Sequence, residues 1–220
     1  MKDKNKQFAV IGLGRFGSSI ATTLYKLGYE VLAIDANEEQ VQKLSETVTH
    51  VVQADTTDEN SLKALGIRNF DVVVVAIGED IQANVLTTLI LKDLGVKYIV
   101  AKARNELHGK MLAKIGADRI VYPERDMGLR VAHNLVSTNV LEYIELSPDL
   151  SIAEITAPKT LVGRSLAEAN LRVKYEINVV AIKRDEVLIV PPPSDEKIRT
   201  GDILIFVGQT RGIQKMEELE

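Results

Sequence analysis

Residues Phe8 to Gly17 constrain the fold more tightly than any other stretch. Phe8-Ala-Val-Ile11 is a short apolar run of the kind buried in a parallel sheet, and Gly12-Leu-Gly14-Arg15-Phe16-Gly17 follows it directly. In such a turn the first glycine permits the tight bend and the second lets backbone approach a pyrophosphate. The third lets the helix pack close to the strand. The helix that opens here offers N–H groups and the positive end of its dipole to phosphate. A second apolar run, Glu30-Val-Leu-Ala-Ile-Asp35, ends on an acid 18 residues after Gly17, where a carboxylate accepts hydrogen bonds from ribose hydroxyls. Glycines alone also serve plain turns; strand, triplet, helix and acid in register read as nucleotide binding.

The strand–helix unit repeats through the first 140 residues. Strands are expected at Gln7–Ile11, Glu30–Asp35, His50–Ala54, Asp71–Ile77, Lys97–Ala103 and Arg119–Tyr122. Helical patterns lie between them at Phe16–Leu27, Glu38–Thr47, Glu59–Leu65, Ile81–Leu94 and Glu106–Ile115. Runs this rich in Val, Ile and Ala, with little polar alternation, suit parallel strands covered on both faces. The expectation is an α/β fold, a Rossmann-like doubly wound parallel sheet of order 3-2-1-4-5-6. Ile81–Leu91 contains no charged residue. A helix without a solvated stripe is buried, so a second subunit is expected to cover it, tight core packing being the other reading.

Beyond the sixth strand, Pro123–Gly128 leaves the sheet and Leu129–Val136 has helical spacing. Ser147-Pro148-Asp149 reads as a linker. Residues 1–140 are therefore expected to form the nucleotide-binding domain with its crossover helix, and residues 141–220 a small α+β domain. In the latter, strands are expected at Ile152–Thr156, Asn178–Lys183, Glu186–Val190 and Asp202–Val207. A helical turn is expected at Ser165–Asn170 and a terminal helix at Thr210–Leu219. Pro191-Pro192-Pro193 has no N–H to give a ladder and marks an edge or a crossing loop. A unit of about 70 residues commonly leans on oligomerisation.

Composition removes several function classes. With no cysteine in 220 residues, a disulfide scaffold, a thiolate metal site and a cysteine nucleophile are out, and a reducing cytosol fits. The charged start Met1–Gln7 is unlike a signal peptide. No apolar stretch approaches the roughly 20 residues of a membrane span, so any membrane role is expected to run through a partner. Residues 1–140 carry 17 basic and 17 acidic side chains and residues 141–220 carry 10 and 14, which accounts for the net charge of −4. No basic face announces nucleic acid.

The candidate nucleotide site follows from the strand ends. Gly12, Gly14, Phe16 and Gly17 form the turn, and the Arg15 guanidinium beside them suits bidentate contact with phosphate. Asp35 and Asn37 are expected to hold the ribose, an acid there favouring a free 2′-OH over NADP. Asp55 and Thr56 follow the third strand on the adenine side; Asp55 and Asp58 equally suit capping of the third helix. Ala76, Ile77, Gly78 and Glu79 end the fourth strand at the topological switch point. Lys102 and Arg104 leave the fifth at the same edge and balance phosphate charge.

Further segments make the chain resemble a known family. They are Leu65-Gly-Ile-Arg-Asn-Phe-Asp71, Val75-Ala-Ile-Gly78 with Ile81-Gln-Ala83, Lys114-Ile-Gly-Ala-Asp118 and Tyr122-Pro-Glu-Arg-Asp-Met-Gly128. The second half adds Arg172-x-Lys174-Tyr175, Asn178-x-x-Ala181-Ile-Lys-Arg184 and Gly201-Asp-Ile-Leu204. With the glycine turn, they are similar nearly end to end to the KtrA- and KtrC-type regulatory subunits of bacterial Ktr potassium transporters, which have RCK N-terminal and C-terminal domains. The resemblance implies a cytoplasmic homo-octamer, a tetramer of dimers, peripheral to the membrane beneath a membrane-embedded potassium-translocating subunit. It implies activation by ATP and inactivation by ADP at the Rossmann site, where NAD(H) also binds, with Arg15 reaching the γ-phosphate held by the dimer-mate. It implies a divalent cation at Glu124, for which the other reading is an acid favoured by a helix dipole. It also implies a dimerising C-lobe that binds inactivating cyclic di-AMP through Leu166, Ala167, Arg172, Asn178, Val179 and Pro192. The chain departs from the family pattern with Arg104 where Gln is common, Ala167 where a larger aliphatic is usual, and Glu176 where Gly is usual.

A different class, an NAD-dependent oxidoreductase or an NAD-sensing regulator, is the alternative. Against the enzyme, His50, His108 and His133 are the only histidines and none falls where a hydride-transfer acid–base is needed. A P-loop is also missing, so no catalytic residue is assigned.

Overall fold

The computed structural model describes residues 6–136, 140–217 and 219; Met1–Asn5 at the charged start and the His133 side chain lie outside them. The chain divides into two compact units, residues 1–124 and 125–220.

The first unit alternates β1 (Gln7–Ile11), α1 (Arg15–Lys26), β2 (Glu30–Asp35), α2 (Glu38–Leu44), β3 (His50–Gln53) and α3 (Glu59–Ala64). It continues with β4 (Val72–Val75), α4 (Ile81–Asp93), β5 (Ile99–Lys102), α5 (Glu106–Ile115) and β6 (Arg119–Val121). All six strands are parallel, in the order β3-β2-β1-β4-β5-β6, as the doubly wound reading requires. Val72–Val75 is buried at every position, which is why these strands read as continuous apolar runs. The two faces build separate cores, one around Ile11, Ile34, Leu62 and Leu91, the other around Val10, Ala33, Leu44 and Val74.

Strands β4 and β5 are shorter than the apolar runs Asp71–Ile77 and Lys97–Ala103. Ala76 N–H still donates to the Ile11 carbonyl (2.7 Å), but Ile77 and Gly78 leave the ladder at the sheet edge, where the buried Asn84 amide donates to the Ile77 carbonyl (2.6 Å) and the Lys102 carbonyl (3.1 Å). Helix α4 buries a polar inner face of Asn84, Thr87 and Thr88 beside Leu91, while Leu86 and Leu89 stay about two-fifths exposed.

The second unit takes in α6 (Pro123–Val136) from Arg125 onward, then β7 (Val140–Ser147), β8 (Leu150–Thr156), α7 (Leu166–Ala169), α8 (Leu171–Tyr175), β9 (Ile177–Arg184), β10 (Val187–Ile189), β11 (Ile203–Gln209) and α9 (Thr210–Glu217). Its sheet runs β10-β9-β11-β8-β7 with antiparallel pairing. One expectation is corrected here. Ser147-Pro148-Asp149 is no linker, because β7 pairs with β8 across it in a tight hairpin. Helix α6 also begins earlier than the Leu129 expected, at Pro123, where the missing proline N–H costs nothing in a first helical turn. The triple proline follows β10, the edge strand, in line with its inability to donate to a ladder.

Glu176 caps α8 at φ 59 and ψ 36, a left-handed conformation that favours glycine, and its carboxylate pairs with Arg211 at 2.7 Å.

Candidate functional site

The carboxyl ends of β1, β2, β4 and β5 open into a cleft of about 980 Å³. Its wall contains Gly12, Gly14, Arg15, Phe16, Asp35, Asn37, Asp55, Thr56, Ala76, Ile77, Gly78, Glu79, Lys102, Arg104 and Glu124. One sheet edge gathers them. Gly17 alone of the expected first-unit set is not on the wall. It is buried beneath it, where an added Cβ would strike the Gly12 carbonyl oxygen.

Each glycine of the turn has a distinct physical reason. Gly12 sits at φ 89, and a Cβ there would meet the Ile77 nitrogen at 2.8 Å. Gly14 has an ordinary extended conformation, φ −63 and ψ −175, and a Cβ there would meet nothing within 4 Å. The open space in front of Gly14 is the cleft itself. No side chain caps α1 and its first turn holds no acid, whereas Asn37, Asp58, Asp80 and Asn105 cap α2, α3, α4 and α5. A helix end without a cap, facing a cleft, leaves donors and positive potential available to an anion.

Asp35 is held by backbone: Leu13 N–H donates to Oδ2 (2.6 Å) and Asn37 N–H to Oδ1 (2.8 Å). A carboxylate has about four acceptor positions, so capacity for ribose hydroxyls remains. Asn37 uses its own Oδ1 to cap α2 through Glu39 N–H (2.8 Å). The third-strand alternatives separate by residue. Asp58 caps α3 through Ser61 and Asn60, while Asp55 accepts from the Thr57 hydroxyl (2.7 Å) and Thr57 N–H (2.9 Å) on the cleft wall. The Thr57 hydroxyl bond, chiefly, holds the Asp55 carboxyl below its usual range. Thr56 is buried, sharing a hydroxyl contact of 2.9 Å with Thr87.

Lys102 is a half-buried cation of the site. Its ammonium pairs with Glu124 at 2.7 Å and lies 5.8 Å from the centroid of the Phe16 ring. The absence of a side chain at Gly78 makes room for it, since a Cβ there would approach Nζ to 3.0 Å. The Lys102 hydrogen bond holds the Glu124 carboxyl below its usual range, helped by the charge of Arg15. Among the described residues no three carboxylate or histidine side chains cluster as metal ligands, so Glu124 offers a cation one carboxylate, and phosphate oxygens or another subunit would have to supply the rest. His108 is buried, and burial pushes its pKa down. Its neutral ring accepts from Arg104 N–H (3.2 Å), which makes it a structural group.

Gln40, Thr57, Asp80 and Ala83 also line the cleft and were missed. Their signal was positional: residues in the loops, caps and first turns that follow strand ends lie at the same edge.

In the second unit, Leu166 and Ala167 open α7, Arg172 lies on α8, Asn178 and Val179 on β9, and Pro192 just past β10. The Leu166 and Ala167 amides donate to the Glu196 (3.1 Å) and Ser194 (2.8 Å) carbonyls, which brings the proline loop onto α7. Arg172, Asn178 and Ala167 are exposed; Leu166, Val179 and Pro192 are half-buried.

Comparison with known proteins places these features. The TrkA-N domain model matches residues 8–123 and the TrkA-C domain model residues 150–220. Ktr system potassium uptake protein C of Bacillus subtilis (strain 168) is 54% identical over 213 residues, covering 97% of this chain and 96% of that protein. Ktr system potassium uptake protein A of the same organism is 49% identical, covering 97% and 96%. The structure of the GsuK channel bound to NAD has the same fold, with a TM-score of 0.68 at 19% identity. It covers all of this chain, which spans 40% of that one. A TrkA-N domain followed by a TrkA-C domain, with close relatives matched nearly end to end, makes the chain a member of the Ktr system potassium uptake protein family.

Proposed function

We propose that the chain is the nucleotide-controlled regulatory subunit of a Ktr potassium uptake system, a binding protein with no catalytic residue. The observation that carries this reading is Gly14, an open-faced glycine at the uncapped start of α1, at the centre of a cleft walled by Asp35, Arg15 and Lys102. That is a pyrophosphate seat with a ribose acceptor on one side and cations on the other. ATP, ADP and NAD(H) compete for it, and the GsuK channel, of the same fold, has been solved with NAD.

Residues 1–140 form the nucleotide-binding domain and residues 141–220 the ligand-binding and dimerisation domain. Eight chains assemble as a tetramer of dimers on the cytoplasmic face of a membrane-embedded potassium-translocating subunit. Among the described residues no helix is long and apolar enough to cross a membrane, so that partner provides the pore. ATP favours the active ring and ADP the inactive one. Ligands shift such an equilibrium only by their difference in affinity for its two states, and Arg15, exposed at the cleft rim, supplies that difference at the γ-phosphate. Glu124 joins a divalent cation there. Cyclic di-AMP at Leu166, Ala167, Arg172, Asn178, Val179 and Pro192 favours the inactive ring.

Light scattering after size exclusion, with ATP, ADP or NADH present, tests the reading together with capture of the membrane subunit. An assembly of eight 24.3 kDa chains whose elution depends on the nucleotide, and which retains its partner, is expected. A monomer that oxidises or reduces NAD and retains no membrane partner would overturn it.

A further inference from the structure

Arg184 and Asp202, each in a segment shared with the family, have no role in the function described so far. The structure joins them. Arg184 at the end of β9 donates from Nε to Asp202 Oδ1 and from Nη2 to Asp202 Oδ2, both at 2.8 Å. Asp202 is 1% exposed and also takes Arg199 N–H at 2.8 Å. This bidentate pair fixes the guanidinium plane. The remaining edge of the fork points at the loop after the triple proline: Nη1 donates to Glu196 Oε1 (2.9 Å) and Nη2 to the Lys197 carbonyl (3.1 Å).

That loop needs an external hold. Pro191, Pro192 and Pro193 have no N–H groups, so the segment cannot tie itself to the sheet through them. It has work to do nonetheless, because its Ser194 and Glu196 carbonyls take the first amides of α7, from Ala167 and Leu166. Helix α7 has four residues, too few to be stable by helix cooperativity alone. The loop therefore joins the Ser165–Glu168 capping box in ordering α7, and Arg184 holds the loop.

We propose that Arg184 is a positioning residue for the second-lobe ligand site. By gripping Glu196 and Lys197 from a rigid strand, it sets Pro192 against Leu166 and Ala167, so the affinity of the cyclic dinucleotide depends on a residue that does not touch it. This rests on the assignment of the cyclic di-AMP site above.

The test uses the full chain carrying Glu196→Ala, which removes the Nη1 contact to the loop but leaves the Arg184–Asp202 pair and the Nη2 bond to the Lys197 carbonyl in place, and Glu196→Gln, whose amide oxygen still accepts from Nη1. Hydrogen-exchange mass spectrometry of the peptide spanning Leu166 and Ala167 reads the loop, and calorimetry with cyclic di-AMP reads the site. In Glu196→Ala, exchange is expected to rise and the cyclic di-AMP Kd to weaken about tenfold, the size of one lost charge-assisted hydrogen bond. ADP affinity in the first unit should hold, and Glu196→Gln should recover most of the loss. Wild-type exchange, or wild-type Kd, in Glu196→Ala overturns the proposal. If the unaltered chain takes up no cyclic di-AMP, the ligand-site assignment falls and the positioning role falls with it, while the exchange data still decide whether the loop is clamped.

Discussion

Gly14→Ala should separate binding from stability. Gly14 has φ −63 and ψ −175, which alanine adopts without strain, and the new methyl meets no atom within 4 Å. Replacing glycine at such a site stabilises by about 0.4–1 kcal/mol through the unfolded chain. Alanine is a poorer N-cap than glycine by a comparable amount, on the order of 0.5–1 kcal/mol. The two offset, so Tm should stay within roughly 4 °C of the unaltered chain. The methyl projects into the space where a pyrophosphate would meet the α1 amides. Loss of one amide–phosphate hydrogen bond costs about 1.5–3 kcal/mol, a weakening of about 10- to 150-fold. Gly17→Ala is the contrast: its Cβ strikes the Gly12 carbonyl oxygen beneath the cleft, and overpacking of that kind costs about 1–3 kcal/mol or more. Calorimetric titration with ADP and ATP, alongside thermal melts followed by circular dichroism, reads both variants. Gly14→Ala with unaltered nucleotide affinity would refute the pyrophosphate seat, and equal Tm losses in the two variants would refute the geometric distinction between them.

Arg15→Ala is expected to keep ADP affinity within about twofold and lose the preference for ATP; equal losses of both in the same titration would remove Arg15 as the discriminator. Acid should weaken the second unit through Asp202. Burial raises its pKa, but hydrogen bonds from Arg184 and Arg199 outweigh burial and leave it below the usual value of 3.8. A depressed folded-state pKa means the pair contributes fully above pH 3.8, and the contribution is lost as pH falls through the lower folded-state value. The Tm gap between the unaltered chain and Asp202→Asn should therefore be largest near neutrality and narrow as pH falls below 3.8; a gap that widens there contradicts the sign.

The doubly wound sheet was legible because each parallel strand, covered on both faces, leaves an unbroken apolar run, and Val72–Val75 is the plainest case. Strand ends were less legible. Hydropathy continues through Ala76 and Ile77, but the strand stops at Val75, because the Asn84 side chain rather than a neighbouring strand takes the Ile77 carbonyl. The second unit hid more. The turn of its β7–β8 hairpin lies where Pro148 and Asp149 suggested a linker, since turn residues mark a hairpin and a linker alike and only pairing distinguishes them. In the cleft, motif residues were found by spacing, whereas Gln40 and Ala83 stand on helical first turns with no motif to announce them. The Lys102–Glu124 pair joins residues 22 apart in sequence and has no local signal at all.

Asn84 carries one last consequence. A fully buried amide that ties the end of β4 to the end of β5 sets the floor of the cleft when the chain folds, before any nucleotide arrives. Association then spends little on ordering backbone, which is the economy of preorganisation. On the proposed function it would also divide labour within the site: the floor would take the parts that adenine nucleotides share, and selectivity would fall to exposed rim side chains such as Arg15 and Glu79. Softening the floor, for instance by shortening Asn84, should weaken every nucleotide alike, while changes at the rim alter their ranking.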